Sequence, residues 1–381
     1  MSSFKRLANG SVTTPRGFRA AGVTAGFKRS GAPDFAMLVS DVPANFAGAF
    51  TSCTFAAAPV QVCRKRVLFC DTIRAAVINS GNANACTGDT GISNAEATCV
   101  LAANKLGINS NEVVVSSTGR IGTQLPMDTV KKGIELAVAS LSEEGGELAA
   151  QAIMTTDTVP KSIAVELELD GVVCSIGAMT KGAGMIDPSL KVPHATMLCY
   201  ITTDVKISNA LLSDMIEENV AQSFNRITID GDMSTNDTVI AMANGLSGVE
   251  IRPDTPQAAT FREALLAVMQ QLAREMVMDG EGVTKFVHVE VFNARSTEDA
   301  KLCAESVANS LLCKTAWFGG DPNWGVREGG DAGTPESDLV DIVRKREFTV
   351  SVDLHDGDES YWVWTNDISY EYVKINADYH T

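Results

Sequence analysis

Short apolar runs closed by polar turn residues set the first limit on how this chain can fold. Ala36-Met37-Leu38-Val39, Ala75-Ala76-Val77-Ile78 and Val113-Val114-Val115 carry no polar residue on either strand face. Such runs predict strands buried in a sheet. Helical periodicity alternates with them: Asn94 to Leu106 places Ala95, Cys99, Ala102 and Leu106 at helical spacing and stops at Gly107. In a longer helix, Gln257 to Met278, residues Phe261, Leu265, Val268, Met269, Leu272 and Met276 form one apolar face, and Gly280 is expected as its C-cap. Two stretches read as hairpins. Ile163 to Leu169 turns at Asp170-Gly171 into Val172 to Ile176, and Phe348 to Leu354 with Tyr361 to Trp364 flanks His355-Asp356-Gly357-Asp358. Hairpins mixed with crossovers predict a layered α/β architecture with more than one sheet. With neither internal repeat nor low-complexity linker, composition marks no domain boundary.

At 381 residues, 45% apolar and 20% charged, the chain is of ordinary globular composition and long enough for a large core. No apolar run approaches the roughly 18 to 20 residues that cross a bilayer. A net charge of -16 repels a phosphate backbone, so neither nucleic acid nor membrane is an expected partner. The nine cysteines are scattered without a CxxC and read as reduced thiols, not a disulfide framework. The first 33 residues hold six Lys/Arg and no Asp or Glu, a transit-peptide composition, yet Thr14-Pro15-Arg16-Gly17-Phe18 leads into an expected first strand. A cytoplasmic protein is the first expectation and the mitochondrial matrix the alternative.

Much chemistry is excluded by what the sequence lacks. Four histidines, 194, 288, 355 and 380, lie far apart outside any zinc pattern, so no metal is expected. GxSxG, GxxxxGK[ST] and a strand-following GxGxxG are also missing, which removes the α/β-hydrolase, P-loop and Rossmann readings.

A nucleophile is nonetheless available. Lys181-Gly182-Ala183-Gly184-Met185-Ile186 leads through a short polar stretch to His194-Ala195-Thr196-Met197-Leu198. A cut between Ala195 and Thr196 would give the threonine a free α-amine, whose ordinary pKa of roughly 7.7 to 8.0 suits a base for its own hydroxyl. His194 would leave with the other fragment, so it reads as a loop residue. Thr118-Gly119, after the Val113 to Val115 strand, suits an oxyanion site, because glycine admits close approach of a backbone N–H and the hydroxyl adds a second donor.

Polar clusters also follow apolar runs at Asn79 to Ala85, Ser116 to Gly119, Met154 to Thr158 and Asp230 to Thr238. Each has a plain reading as a turn that satisfies its own backbone. The acidic Asp230 cluster lacks the Gly and Glu of an EF-hand, having Thr235 and Ala241 there, and is expected to be a structural turn.

Taken together, these segments resemble the ornithine acetyltransferase family, the glutamate N-acetyltransferases of arginine biosynthesis. The resemblance is carried in order by Asn79–Gly88, Ser117–Gly122 with Leu125–Asp128, Ile153–Thr158 with Pro160–Lys161, Lys181–Ile186 with Ala195–Leu198, Ser223–Val239, Asp279–Gly282 with Thr284–Phe286, Asp321–Gly325, and Tyr372–Tyr379. It runs from about Ser11 to Thr381.

This resemblance implies a precursor of the family's α/β fold, two β-sheets sandwiched between helices, that cuts itself at Ala195/Thr196. The products would be an α chain, residues 1–195, and a β chain, residues 196–381, in one composite globular unit. Thr196 would be the nucleophile, Thr118 and Gly119 the oxyanion pair, and Thr155, Lys181, Thr196, Glu281, Asn376 and Thr381 the substrate contacts. Lys181 would meet a carboxylate and Glu281 a cationic amine. The implied reaction moves acetyl from N2-acetylornithine to glutamate by a ping-pong route with no cofactor, and acetyl-CoA stays open as a second donor. An α2β2 heterotetramer is the implied assembly.

Departures from the family are local. Ser189 to His194 is longer than in many bacterial members, Met233 stands for a usual threonine and His380 for a usual arginine, and the path from Gly325 to Phe348 is short. That shortening is expected to alter the packing of the last helix and strand. Two other readings share the sequence: a self-processing amidase or aminopeptidase in which water deacylates the threonine, and an impaired relative retained for binding.

Overall fold

The computed structural model describes residues 4–188, 190–191, 197–322, 326–327, 330–331 and 333–378. In chain order the strands are β1 (Phe4–Arg6), β2 (Phe18–Val23), β3 (Phe35–Thr51), β4 (Ile73–Asn82), β5 (Val113–Arg120), β6 (Lys161–Leu169), β7 (Val172–Lys181), β8 (Leu190–Lys191), β9 (Leu198–Thr203), β10 (Thr238–Ala243), β11 (Phe286–Ala294), β12 (Val326–Arg327), β13 (Gly330–Asp331), β14 (Glu347–Asp353) and β15 (Glu359–Asn366). The helices are α1 (Ala58–Phe69), α2 (Gly88–Leu106), α3 (Met127–Ala139), α4 (Gly146–Ala152), α5 (Asn209–Ala221), α6 (Pro256–Met278), α7 (Thr297–Ala308), α8 (Leu311–Gly319), α9 (Glu336–Val343) and α10 (Tyr370–Ala377).

The long strand β3 joins two sheets. Its first half pairs with β2 and β4, its register breaks between Val39 and Ala44, and its second half pairs with β10 and β8. A bulge there bends the strand from one sheet into the next. The strand order β1-β6-β7-β9-β10-β3-β4-β5 therefore places β9 and β10 between strands that precede residue 189.

Alternation along β9 and β10 decides the layering. Leu198, Tyr200, Ile240 and Met242 enter a core shared with β2 to β5 and α1 to α4, whereas Cys199, Ile201, Val239 and Ala241 enter a second core with α5 and α6. Side chains of successive strand residues point to opposite faces, so this middle sheet is buried on both. The expected two sheets between helices are present. A third core joins β11, β14 and β15 to α7 and α8.

Helix α6 follows its sequence closely. The Thr255 hydroxyl accepts from the Ala258 N–H, Pro256 opens the helix, and the six predicted face residues are buried. Gly280 is not its C-cap, a role that falls to Asp279 in a non-left-handed conformation. What excludes a side chain at Gly280 is crowding, because a Cβ there would lie 2.2 Å from Asn366 Nδ2. Helix α2 starts at Gly88, earlier than its apolar periodicity, and ends as expected on left-handed Gly107.

The first predicted hairpin forms as β6 and β7 around Asp170 and Gly171, both at positive φ. The second does not. β11 lies between β14 and β15, parallel to the first and antiparallel to the second. The shortened region holds the β12/β13 pair and α9; the last strand packs into the third core, whereas α10 has no buried residue.

Candidate active site

The ends of β5, in the first sheet, and of β7, in the middle sheet, meet the beginnings of β9 and β10. A cavity of about 200 Å³ opens there, and Thr118, Gly119, Thr155, Lys181, Glu281 and Asn376 all line it. Ala195, Thr196, Thr381 and His194 lie outside the described residues. Met197, which follows Thr196 in the chain, is in the cavity wall.

The Thr118-Gly119 pair is held by crowding. Parallel pairing of β4 and β5 sets Gly81 opposite Gly119, and a Cβ on Gly119, which has φ +125°, would lie 2.5 Å from the Gly81 carbonyl carbon. Only glycine fits. The Asn236 amide Nδ2 ties this corner together by donating to Ser117 O at 2.8 Å and Ala83 O at 2.5 Å. Lys181 Nζ donates to Thr118 Oγ1 at 3.4 Å, which leaves the Thr118 hydroxyl hydrogen free to point elsewhere.

Beneath this corner runs a buried chain of charge. Lys161 Nζ lies 2.7 Å from Asp157 Oδ1 and 2.6 Å from Asp279 Oδ2. Asp157 also accepts from the Gly182 N–H at 2.7 Å and the Thr155 N–H at 3.0 Å. Burial works against the Asp157 carboxylate, but Lys161 and Lys181 outweigh it and hold its pKa down at about 2. At Lys181 burial wins and lowers the pKa, opposed by Asp157, Asp237 and Glu281 and assisted by Lys161.

Across the cavity, the Glu281 backbone N–H donates to Ala183 O at 2.9 Å and its carboxylate packs where a Cβ on Gly184 would stand, 2.5 Å away. Asn376 Nδ2 donates to Glu281 Oε2 at 2.6 Å. Asp230 accepts from the backbone N–H of Met185 and Ile186 at 2.6 and 2.9 Å, and burial lifts its pKa to about 6.

The polar clusters divide between shaping and lining. Asn79 donates to Asn82 O within its own cluster, whereas Asn82 reaches Thr123 O and Asn84 reaches Gly91 O in α2, so this cluster ties neighbouring elements together more than it satisfies its own backbone. The Asp230 cluster is more than a turn, since Ser234, Asn236 and Asp237 line the cavity. Sequence reasoning singled out neither these three nor Asp157, Lys161 and Asp279 for the site. Their polar character was visible; their burial around a common cavity comes from pairing between distant strands. Among the described residues all nine cysteines are free, no three metal-binding side chains cluster, and no helix is long and apolar enough to cross a membrane.

A model of the ArgJ family matches residues 19–327 and 326–381, two segments that meet in the shortened region. The arginine biosynthesis bifunctional protein ArgJ of Symbiobacterium thermophilum is 43% identical over 402 residues, 98% of this chain and 99% of that protein. Its counterpart in Geobacter sulfurreducens is 44% identical over 398 residues, covering 96% and 99%. A solved structure of ornithine acetyltransferase from Mycobacterium tuberculosis, complexed with ornithine, is 42% identical over 49% of this chain and 100% of that one, with a TM-score of 0.45.

Proposed function

We propose, because this chain belongs to the ArgJ family, that it transfers acetyl from N2-acetylornithine to glutamate through a threonine that self-cleavage exposes. The observation that carries this is the convergence of Thr118, Gly119, Thr155, Lys181, Glu281 and Asn376, from distant parts of the chain, on one cavity whose wall includes the neighbour of Thr196.

Cleavage between Ala195 and Thr196 gives Thr196 an α-amine beside its hydroxyl. The amine takes the hydroxyl proton and Oγ attacks the acetyl carbonyl carbon. Negative charge moves to the carbonyl oxygen, where the Thr118 hydroxyl and the Gly119 N–H donate to it. The amide C–N bond then breaks as the proton passes to the leaving nitrogen, and ornithine departs. Glutamate's α-amine attacks the acetyl ester, Oγ recovers the proton, and N-acetylglutamate leaves. Lys181 holds the substrate carboxylate and Glu281 the ornithine side-chain ammonium, both by charge-assisted hydrogen bonds. Thr155, Asn376 and Thr381 complete the substrate contacts.

No resident cofactor enters this scheme, and acetyl-CoA stays open as a second donor to the same threonine. Residues 1–195 and 196–381 remain one unit, since strands on both sides of the cut interleave in one sheet, and two such units form an α2β2 heterotetramer. The bacterial relatives support a cytoplasmic setting. Intact mass of wild type against Thr196→Ala tests the scheme. Two fragments meeting at residue 196 and acetyl transfer are expected from the first, one inactive chain from the second; a Thr196→Ala protein that still transfers acetyl overturns it.

A further inference from the structure

Lys161 is a lysine with almost no access to water, held between two carboxylates. Side-chain exposure is 1% for Lys161, 0% for Asp157 and 8% for Asp279. A buried ion pair often contributes little net stability, because desolvation offsets the attraction. Two carboxylates on one ammonium are costlier, since the set keeps a net negative charge away from water. Such an arrangement calls for a use of that charge.

Its position supplies one. Asp157 fixes the backbone N–H of Thr155 and of Gly182, the residue after Lys181. Asp279 accepts from the Thr158 N–H at 3.0 Å and from the Thr158 hydroxyl, and lies two residues before Glu281. Three cavity walls are thus pinned to one ammonium. Asp157, bonded to the N–H of the residue after Lys181, is also the carboxylate that most opposes the lowering of the buried Lys181 pKa by desolvation.

We propose that the Asp157–Lys161–Asp279 chain is the positioning device of this site: it clamps the segments bearing Thr155, Lys181 and Glu281, and Asp157 is the counter-charge of the Lys181 ammonium. The inference rests on the reading that Lys181 receives the substrate carboxylate. Asp157, Lys161 and Asp279 are positioning residues that act through those groups.

The consequence is a pH limit. Lys181 binds a carboxylate as an ammonium, so its deprotonation bounds kcat/KM on the alkaline side. The charged groups facing it are Asp157, Lys161, Asp237, Glu281 and, more remotely, Lys28; the proposed Thr196 amine must be neutral to act and bounds the acid side. Removing the Asp157 charge draws the alkaline limit down.

The experiment compares Asp157→Asn, Asp157→Glu and Asp279→Asn with wild type, each first confirmed as cleaved and cooperatively folded, by kcat/KM for N-acetylornithine against pH. Asp157→Asn should raise KM about tenfold or more and move the alkaline limb down by about one pH unit or more, with a smaller change in kcat. Asp157→Glu keeps the charge and should leave the limb in place. Asp279→Asn should raise KM with the limb unmoved. Equal damage from Asp157→Asn and Asp157→Glu without a limb shift overturns the counter-charge, and an unchanged KM in Asp279→Asn overturns the clamp. If Asp157→Asn does not fold, the Asp157→Glu and Asp279→Asn profiles decide. Wild type that transfers no acetyl defeats the functional reading instead, a result distinct from any of these.

Discussion

Asn376 donates a 2.6 Å hydrogen bond from Nδ2 to Glu281 Oε2, linking α10, a helix with no fully buried residue, to the cavity. The second Nδ2 hydrogen bond, to Tyr372 O at 3.0 Å, stays within α10, so the amide is oriented before substrate arrives. A carboxylate held by one oxygen can present the other in a fixed direction. Asn376→Ala should therefore raise KM for N-acetylornithine about tenfold, the loss expected for one hydrogen bond to a charged group. Steady-state kinetics checks this; an unchanged KM would separate α10 from substrate binding.

Gly119→Ala places a methyl group against the Gly81 backbone at a φ that side chains rarely adopt. Displacement of the Gly119 N–H from the oxyanion should lower kcat about 10²-fold or more, with a modest effect on KM. Pre-steady-state acetylation of the protein, followed by mass, measures the affected step directly. Acetylation at the wild-type rate would remove Gly119 from the oxyanion site.

Lys314 gives a stability prediction with a definite sign. Burial lowers its pKa to about 7, while Asp230, Asp367 and Asp187 oppose the shift; its Nζ bonds Thr365 Oγ1 at 2.6 Å and Asn366 O at 2.8 Å. Between about 7 and the ordinary 10.5, the folded state binds fewer protons than the unfolded state, so stability rises with pH across that window and is lost as pH falls through 7. Relative to Lys314→Met, wild type should gain on the order of a few kcal/mol from pH 6.5 to pH 10. Urea unfolding of both proteins at several pH values tests it, and a pH-independent difference contradicts it.

Leu272→Ala should destabilise the protein by about 2–5 kcal/mol, because Leu272 is fully buried on the core face of α6. Leu311 is 68% exposed at the start of α8, and its change to alanine should stay within about 0.5 kcal/mol. Chemical denaturation of the two variants provides the comparison.

Local sequence was informative wherever a local rule determines the outcome. Asp170-Gly171 specifies a tight reversal, and the apolar runs within β3, β4 and β5 follow from burial of both faces. The reversal around His355 was equally visible, but a turn fixes that the chain comes back, not which strand it returns beside; Gly357 packs against the Ala294 backbone and β11 takes the central place. The same distinction applies to the site. Residues belonging to recognisable motifs, such as Lys181 and Glu281, converge on the cavity. Asp157, Lys161 and Asp279 lie in the same motifs, but nothing local tells that they are buried on one another until the segment before β6, the end of β7 and the end of α6 are brought together.

The bend in β3 leaves a lasting mark on the two pieces that a cut at residue 195 would create. β7 hydrogen-bonds to β9 and β3 to β10, so each piece supplies slats to a blind that the other must complete. Parting them means unzipping two ladders and wetting both sides of the central sheet at once. Halves made as separate chains should remain incomplete until they meet, and the proposed cut would free its nucleophile without loosening the frame that aims it.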